Sequence, residues 1–376
     1  MRVVVCPDKF AGTMDAPTAA HAIAEGWARA APDDELVLVP LADGGPGFVD
    51  VLHARLGGRL LAVAVSGPLG APVPATVLVV PQAGGTTAYV ESAQACGLHL
   101  VPPAGRDPMA ATTYGVGELI AAALEEGVDR IVVGLGGSAT TDGGAGALAA
   151  LGAQPADVLV RGGAGLADLS GLDLGPARAR IGTVELVAAT DVDNPLLGLR
   201  GTANTFARQK GADDAQVLAL EAGLTRLVEL AEPGVRAALT VANRPGSGAA
   251  GGLGYALALL GARREPGIGT VLRVVGLDEQ IRRADLVVTG EGCLDWQSLA
   301  GKVVSGVAQL ALESGRPVVV LAGQVQLGRR ELGAMGVAAA YPTASTPQER
   351  MVSLAQPVQT LSALAQRVAR SWSRRR

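Results

Sequence analysis

Residues 131–146 combine the residue types of a ligand-binding turn. A short β-branched run ends there in glycines, hydroxyl side chains, one carboxylate and more glycines. Glycine lets the backbone turn tightly and brings amide N–H groups close to a ligand, and consecutive N–H groups before a helix form a concave site for anions, phosphate above all. We therefore predict a phosphate-binding turn over Gly136–Gly144, with Thr140, Thr141 or Asp142 capping the next helix. The alternative is a strand-to-helix turn that binds nothing.

Two carboxylates, Asp191 and Asp193, follow a predicted strand over Val184–Ala189. Together with Asn194 they offer the hard oxygen ligands that suit Mg²⁺, and either carboxylate is also a candidate proton acceptor. The alternative is an Asx turn before Pro195, which Asp and Asn both favour. The sequence leaves these two interpretations open.

Basic and acidic side chains also occupy two later loops. Lys210 precedes a predicted helix, where it is either a neutraliser of phosphate charge or part of a solvated basic turn. Farther on, Glu291, Asp295, Gln297 and Lys302 surround a strand-to-helix loop. Turn formation and a helix dipole do not explain all of these side chains together, so we favour a functional site. Cys293, which has no histidine near it in sequence, is predicted to be a small buried residue.

Strands alternate with helices at both ends of the chain, which is typical of a parallel sheet covered on both faces. The predicted terminal strands are Val3–Cys6, Leu36–Pro40, Leu286–Thr289, Pro317–Leu321 and Val337–Tyr341. The middle of the chain begins instead with three closely spaced strands, at Leu60–Val65, Thr76–Val80 and Thr87–Glu91. We therefore predict a flavodoxin-like α/β domain made of residues 1–59 plus 284–376, split by a second, inserted α/β domain at residues 60–283.

The flavodoxin-like strand order 2-1-3-4-5 places the first strand between the second and the third. The loops after the first and third strands then meet at the switch point, where open α/β sheets bind ligands. These loops carry Asp8 and Lys9 on one side and Glu291 and Asp295 on the other, and the loop after the second strand adds Asp43. We expect these five charged residues to converge at one edge of the sheet.

Composition excludes several classes of function. A chain of 376 residues with 49% hydrophobic residues predicts about two domains. A formal net charge of −4, without a basic stripe, argues against nucleic acid. We find no signal peptide and no apolar run near the ~20 residues that span a bilayer. Three widely spaced cysteines suit a reducing cytoplasm. We predict a cytoplasmic protein with a small-molecule substrate; a homodimer is one alternative for its oligomeric state.

A second glycine pattern, Gly246–Gly251, matches Gly-x-Gly-x-x-Gly. It follows a weak strand candidate and has no acidic residue near 20 positions later, as a dinucleotide-binding fingerprint requires. We therefore favour tight packing or a phosphate turn over an NAD-linked oxidoreductase.

Eight motifs of this chain, taken in order, resemble those of the bacterial glycerate kinases of the type that includes the glycerate 2-kinases. These motifs are Cys6–Thr13, Ala42–Gly45, Thr112–Ile120, Gly136–Gly144, Asp191–Gly198, Gln209–Ala212, Gly248–Gly254 and Thr289–Gln297. The resemblance covers about residues 2–340. It implies ATP- and Mg²⁺-dependent phosphorylation of glycerate, with 2-phosphoglycerate as the favoured product, and a flavodoxin-like domain interrupted by a second α/β domain.

The resemblance also has departures. Ala11 stands where the family usually carries lysine, with Lys9 two residues away, and Pro46 and Phe48 replace an acid and a hydroxyl. These changes keep two alternatives open: a kinase of another small hydroxy acid, and a non-catalytic nucleotide or metabolite sensor on the same scaffold.

Phosphoryl transfer needs positioning, charge neutralisation and a carboxylate that orients the acceptor, and we assign the candidate residues on that basis. Residues expected to bind the nucleotide are Gly136, Gly137, Ser138, Ala139, Thr140 and Lys210. Residues expected to bind the acceptor are Asp43, Glu291, Gln297 and Lys302. Residues expected to act in catalysis are Asp191, Asp8, Asp295 and Lys9. Residues expected to hold Mg²⁺ are Asp191 and Asp193.

Overall fold

The computed structural model describes residues 1–10, 12–82, 84–299 and 302–373, so that Ala11 lies outside the described residues. The strands are β1 Arg2–Val5, β2 Glu35–Leu38, β3 Arg59–Ser66, β4 Pro72–Gln82, β5 Gly85–Glu91, β6 Arg130–Gly134, β7 Glu185–Ala189, β8 Arg263–Glu265, β9 Leu286–Leu294, β10 Val318–Val325 and β11 Val337–Pro342. The helices are α1 Ala16–Ala30, α2 Phe48–Leu56, α3 Ala93–Cys96, α4 Tyr114–Glu125, α5 Ala145–Ala150, α6 Ala156–Leu159, α7 Gly162–Gly165, α8 Gly175–Ile181, α9 Thr202–Phe206, α10 Asp214–Ala231, α11 Ala249–Leu259, α12 Gly267–Val275, α13 Leu277–Arg282, α14 Val303–Glu313, α15 Arg329–Ala334, α16 Pro347–Ala355 and α17 Pro357–Trp372.

The chain forms two compact units. The terminal unit comprises Met1–Asp43, Asp50–Arg55 and Ile268–Arg376, and the middle unit comprises Gly44–Val49 and Leu56–Gly267. Residues 268–283, which we placed in the inserted domain, pack with the terminal unit. Among the described residues, helices that are both long and apolar enough to cross a membrane are not found.

The terminal unit contains a parallel sheet with the strand order β11-β10-β9-β1-β2. This is the predicted flavodoxin-like order 2-1-3-4-5, and the predicted α/β class is confirmed. The central strands are runs of valine that bury both faces, as parallel sheets covered by helices require. β9 is longer than predicted, because its pairing with β10 continues beyond Thr289 through Glu291 to Leu294.

Helices α1 and α17 pack closely on one face of this sheet. Asp15 caps α1 by accepting a hydrogen bond from the Thr18 amide at 2.7 Å, as the Asp-x-Pro sequence predicts. The close approach depends on Gly26, since a β-carbon there would overlap the carbonyl oxygen of Ser362 on α17.

The middle unit contains the sheet β3-β4-β5-β6-β7-β8. The first three strands pair antiparallel, as the closely spaced strand pattern predicts, and β5 to β8 pair in parallel. The core of this unit is built mainly from Ala, Val and Leu. The parallel pairing of β6 with β7 places their carboxyl ends side by side, and a candidate motif follows each of them.

The Gly-x-Gly-x-x-Gly pattern serves packing. Ala250, Gly251 and Gly252 adopt left-handed backbone angles inside α11, a conformation that glycine adopts without strain. A β-carbon on Gly251 would overlap the carbonyl oxygen of Thr140, and the Gly251 carbonyl accepts the Gly143 amide at 3.0 Å. The motif therefore supports the 136–144 turn from below.

Replacing Gly26 with alanine should destabilise the protein by about 2 kcal/mol, because the methyl group would press α1 against the backbone of α17. Differential scanning calorimetry checks this prediction. The matched control is G333A on α15, where a β-carbon meets nothing within 4 Å and the alanine should be neutral or stabilising by up to about 1 kcal/mol. Equal melting temperatures for G26A and wild type would contradict the packing account.

Candidate active site

A cavity of about 370 Å³ opens in the terminal unit at the ends of the central strands. Its charged lining residues are Asp8, Lys9, Asp43, Glu291, Asp295, Lys302 and Arg350. The structure thus brings together the five charged residues that the strand order predicts, and it adds Lys302 and Arg350. Cys293 is partly exposed and also lines the cavity, so the expectation that it is buried is wrong. The side chain of Gln297 lies outside the described part of the chain.

Lys9 lies between two carboxylates. Its ammonium nitrogen Nζ is 3.5 Å from Asp8 Oδ1 and 3.4 Å from Asp43 Oδ1. Burial alone would lower the pKa of Lys9, but Asp43 and Asp8 outweigh it and raise that pKa above its ordinary value. Burial also raises the pKa of Asp8 to about 6, although the Lys9 charge acts in the opposite direction. The Lys9 cation therefore compensates for placing one acid after β1 and another after β2 in the same cavity.

Glu291 lies on β9 with only 7% of its surface exposed. Its Oε1 atom has no hydrogen-bond partner among the described residues. Burial raises the pKa of Glu291 to about 7, against the lowering effects of the Ser298 hydroxyl and the Lys302 charge, and with support from the negative charges of Asp8 and Asp295. A carboxyl group with a pKa near neutral pH is well suited to accept a proton in catalysis.

The predicted phosphate-binding turn connects β6 to α5 in the middle unit. Ser138, Ala139 and Thr140 are buried, whereas Gly136 is partly exposed and Gly137 is exposed with a φ of 65°. The Ala139 amide already donates to the Cys96 carbonyl at 2.7 Å. Backbone at Gly136 and Gly137 is therefore the part of this turn that a ligand can reach.

Lys210 supports this turn from inside. Only 3% of the residue is exposed, and its Nζ donates to Ser138 Oγ at 3.0 Å and to the Thr140 carbonyl at 2.5 Å. Burial lowers its pKa to about 8, while Cys96 and Asp142 act to raise it. The lysine is therefore not a solvated basic residue, and it holds the shape of the turn.

Asp142 is a buried residue that supports this turn, a role that the sequence analysis does not predict. Its carboxylate is fully buried and accepts hydrogen bonds from the Thr113 amide and hydroxyl, both at 2.8 Å, and from the amides of Gly144 and Gly146 at 3.1 and 3.2 Å. The N-cap residue of α5 is Gly144, which has no side chain to cap the helix, so the prediction of Thr140, Thr141 or Asp142 at this position is wrong. The carboxylate thus ties the turn to the start of α4.

The carboxylates after β7 have different surroundings. Asp193 is exposed and its Oδ1 lies 2.6 Å from an Arg264 guanidinium nitrogen. Asn194 donates to the Arg200 carbonyl at 2.7 Å, which is a structural use of the amide. Among the described residues there is no group of three or more His, Cys, Asp or Glu side chains that could hold a metal ion. A Mg²⁺ ion at Asp191 would therefore need further ligands, such as the phosphate oxygens with which Mg²⁺ usually binds.

Phe48, one of the departures from the family pattern, belongs to the core of the middle unit. It is fully buried and meets Tyr89 edge-to-face, with ring centroids 6.3 Å apart. A β-carbon on Gly134 would contact its ring, and a β-carbon on Gly137 would touch Pro46. These two residues therefore pack against the end of β6 and its turn.

Comparison with known proteins identifies the family. A model of the glycerate kinase family matches residues 3–373. The chain belongs to the glycerate kinase family. Similar curated proteins include a glycerate kinase of Halalkalibacterium halodurans, 39% identical over 98% of this chain and 96% of the relative, and the glycerate 2-kinase of Escherichia coli, 41% identical over 86% of each. A solved structure of a glycerate kinase 2 from Salmonella typhimurium LT2 is 38% identical, with a TM-score of 0.78 over 99% of this chain and 98% of that one.

Glu291 should make stability depend on pH. Its pKa in the folded protein, about 7, lies above the ordinary value of 4.5, so its favourable contribution is complete below the ordinary pKa and is lost as pH rises through 7. With about 1.4 kcal/mol per pKa unit, wild type should lose about 2–3 kcal/mol more than E291Q between about pH 4.5 and about pH 8. Urea unfolding at both pH values checks this, with E25Q on the exposed face of α1 as control. A parallel pH dependence of wild type and E291Q would contradict the burial account.

Proposed function

We propose that this protein transfers the γ-phosphoryl group of ATP to a hydroxyl of glycerate, giving ADP and phosphoglycerate, with the 2-phosphate favoured. Membership of the glycerate kinase family supports the acceptor, and the names of the relatives support the reaction. The observation that carries the proposal is the cavity at the ends of β1 and β9, where Asp8 and Glu291 are buried carboxyl groups with raised pKa values.

The terminal unit provides the chemistry at the acceptor. The acceptor oxygen forms a bond to the γ-phosphorus, the bond from that phosphorus to the ADP oxygen breaks, and the hydroxyl proton must go to a base. Glu291 is our candidate for that base, because its Oε1 faces no protein donor among the described residues and its pKa is about 7. Asp8 and Asp295 support its high pKa, and Lys9 holds Asp8 and Asp43 in place.

The middle unit provides the nucleotide site. The exposed backbone of Gly136 and Gly137 is our candidate for contacting phosphate oxygens, with Ser138, Ala139 and Thr140 forming the buried part of the turn. Lys210 brings a positive charge beneath these residues without leaving its hydrogen bonds to Ser138 and Thr140. This arrangement stabilises anionic oxygens electrostatically at a low reorganisation cost.

We propose Asp191 as the protein ligand of Mg²⁺. Asp193 is a further ligand only if its carboxylate gives up the ion pair with Arg264. Bound Mg²⁺ would neutralise charge on the transferred phosphoryl group. The oxygen donors of this loop fit a hard cation that arrives with the nucleotide, and they do not form an all-protein cage.

The alternative of a non-catalytic sensor is motivated by Pro46 and Phe48. Phe48 is buried in the middle unit, and the partly exposed Pro46 packs beside Gly137 in the same unit. Both residues therefore have a packing role, which weakens that alternative. A kinase of another small hydroxy acid stays open as an outcome of the assay. A cytoplasmic location remains a proposal supported by three free cysteines, and the homodimer stays a prediction.

D-glycerate should stimulate the release of ADP from MgATP by the wild-type protein, with a single phosphorylated product that ³¹P NMR identifies. Replacing Asp191 with asparagine should lower kcat by about 100-fold or more while the melting temperature changes little, because the lost charge acts on the phosphoryl group. The control is D214N, which removes an exposed carboxylate paired with Arg208. Near-normal turnover by D191N would exclude Asp191 from catalysis, and absence of glycerate-dependent ADP release would contradict the proposed reaction.

Replacing Lys210 with methionine should raise the KM for ATP by about tenfold or more and leave the KM for glycerate within about twofold, because the turn loses its buried charge and two hydrogen bonds. Steady-state kinetics with each substrate varied in turn measures both constants. The matched control is R208M, two residues away, whose guanidinium is exposed and pairs with exposed Asp214. An unchanged KM for ATP in K210M would remove Lys210 from the nucleotide site.

A further inference from the structure

Helix α16 presents one face to the acceptor cavity. Arg350, Ser353 and Leu354 of α16 line the cavity, and so does Pro357, the first residue of α17. The spacing of three and four residues from Arg350 is that of neighbours on one side of a helix. The chain segment after β11 therefore brings a guanidinium and a hydroxyl to a cavity whose other charged residues come from β9 and from the loops after β1, β2 and β9.

The start of α16 is fixed by a capping box. Thr346 Oγ1 accepts a hydrogen bond from the Glu349 amide at 3.2 Å, and the Glu349 carboxylate accepts from the amides of Ser345 and Thr346 at 2.7 and 3.1 Å. On the cavity side, the hydroxyl oxygens of Ser353 and Thr343 lie 2.8 Å apart. The carboxylate next to Arg350 in sequence is thus used by the backbone, and the helix is held in position.

The positively charged side chains of the cavity differ in whether a carboxylate lies close enough to balance their charge. Lys9 lies between Asp8 and Asp43. Lys302 acts on Glu291 and lowers its pKa against the effect of burial. Arg350 has no carboxylate within 4 Å of its guanidinium in the part of the chain that the structure describes. Arg350 and Cys293 both line the cavity, and the Arg350 charge acts to lower the pKa of Cys293.

A negatively charged acceptor needs a cation of its own in this site. Four carboxyl groups already line the cavity, namely Asp8, Asp43, Glu291 and Asp295. A further carboxylate brought among them is repelled unless an unbalanced positive charge receives it. The planar guanidinium suits a carboxylate particularly well, because it can donate two parallel hydrogen bonds.

We propose that Arg350 binds the carboxylate of the acid acceptor and so makes the site specific for small hydroxy acids. Ser353, on the same face of α16, lies next to Arg350 and pairs with the Thr343 hydroxyl. This inference rests on the proposed function, in which the hydroxyl of the same acceptor faces Glu291. Arg350 on α16 then binds the carboxylate of the acceptor, and Glu291 on β9 accepts the proton of its hydroxyl.

The test compares R350M, R350K and a matched control, R330M, which removes an exposed arginine of α15 outside the cavity lining. R350M should raise the KM for D-glycerate about 50-fold and leave the KM for ATP within about twofold, because a charge-assisted pair is lost only at the acceptor. R350K should recover part of the affinity, and R330M should behave as wild type. Glycerol, which lacks the carboxylate, should be used equally poorly by wild type and R350M.

An unchanged KM for D-glycerate in R350M would overturn the inference, and so would a rise confined to the KM for ATP, which would assign the guanidinium to phosphate. Isothermal titration of D-glycerate into nucleotide-free protein keeps the test separate from turnover. If wild type binds D-glycerate but transfers no phosphoryl group, the proposed function fails while the inference is still tested. Loss of that binding in R350M would then support the inference, and equal binding by R350M and wild type would overturn it.

Discussion

Burial of ionisable carboxyl groups at the ends of two neighbouring parallel strands is the constraint around which the terminal unit is organised. β1 and β9 are adjacent because the strand order brings the chain back beside its own beginning, so Asp8 and Glu291 line one small cavity. Taking a carboxylate out of water is costly unless a cation or hydrogen bonds compensate. Lys9 compensates Asp8, and Lys302 does so partly for Glu291. The part of the cost of burying the Glu291 charge that Lys302 does not offset gives this residue its high pKa.

In the middle unit, buried residues fix the shape of a turn whose backbone is accessible at Gly136 and Gly137. Asp142 accepts four hydrogen bonds beneath the turn, and Lys210 donates hydrogen bonds to Ser138 and Thr140. The left-handed segment of α11 fills the space below, where no larger residue than Gly251 fits. A preformed turn of this kind avoids the cost of ordering a loop when an anion binds.

The sequence predicts the frame of the molecule well because strand and helix periods leave clear patterns in a chain rich in Ala, Val and Leu. The strand order and the meeting of Asp8, Lys9, Asp43, Glu291 and Asp295 follow from one topological rule. The end of β9 was harder to predict, because glycines at 290 and 292 look like a turn, whereas pairing with β10 keeps them in the sheet. The motif residues alone also do not show which side chains a ligand can contact and which only hold the backbone in place. Lys210 and Asp142 are buried beneath the 136–144 turn, and Phe48 is in the core.

Arg350 shows a further limit, since nothing near it in sequence marks it as part of a site. It joins the cavity only because α16 turns one face toward the ends of the strands. A capping box and a proline at the helix start are visible in the sequence, but the direction in which the helix runs is not.

The protonation behaviour of Glu291 is the claim on which the catalytic account depends most. Its most direct measurement is a ¹³C NMR titration of the glutamate side-chain carboxyl carbons in wild type, with E291Q to assign the resonance. The account predicts one glutamate that titrates near pH 7 and is missing from E291Q. A Glu291 resonance that titrates near the ordinary value of 4.5 would contradict it.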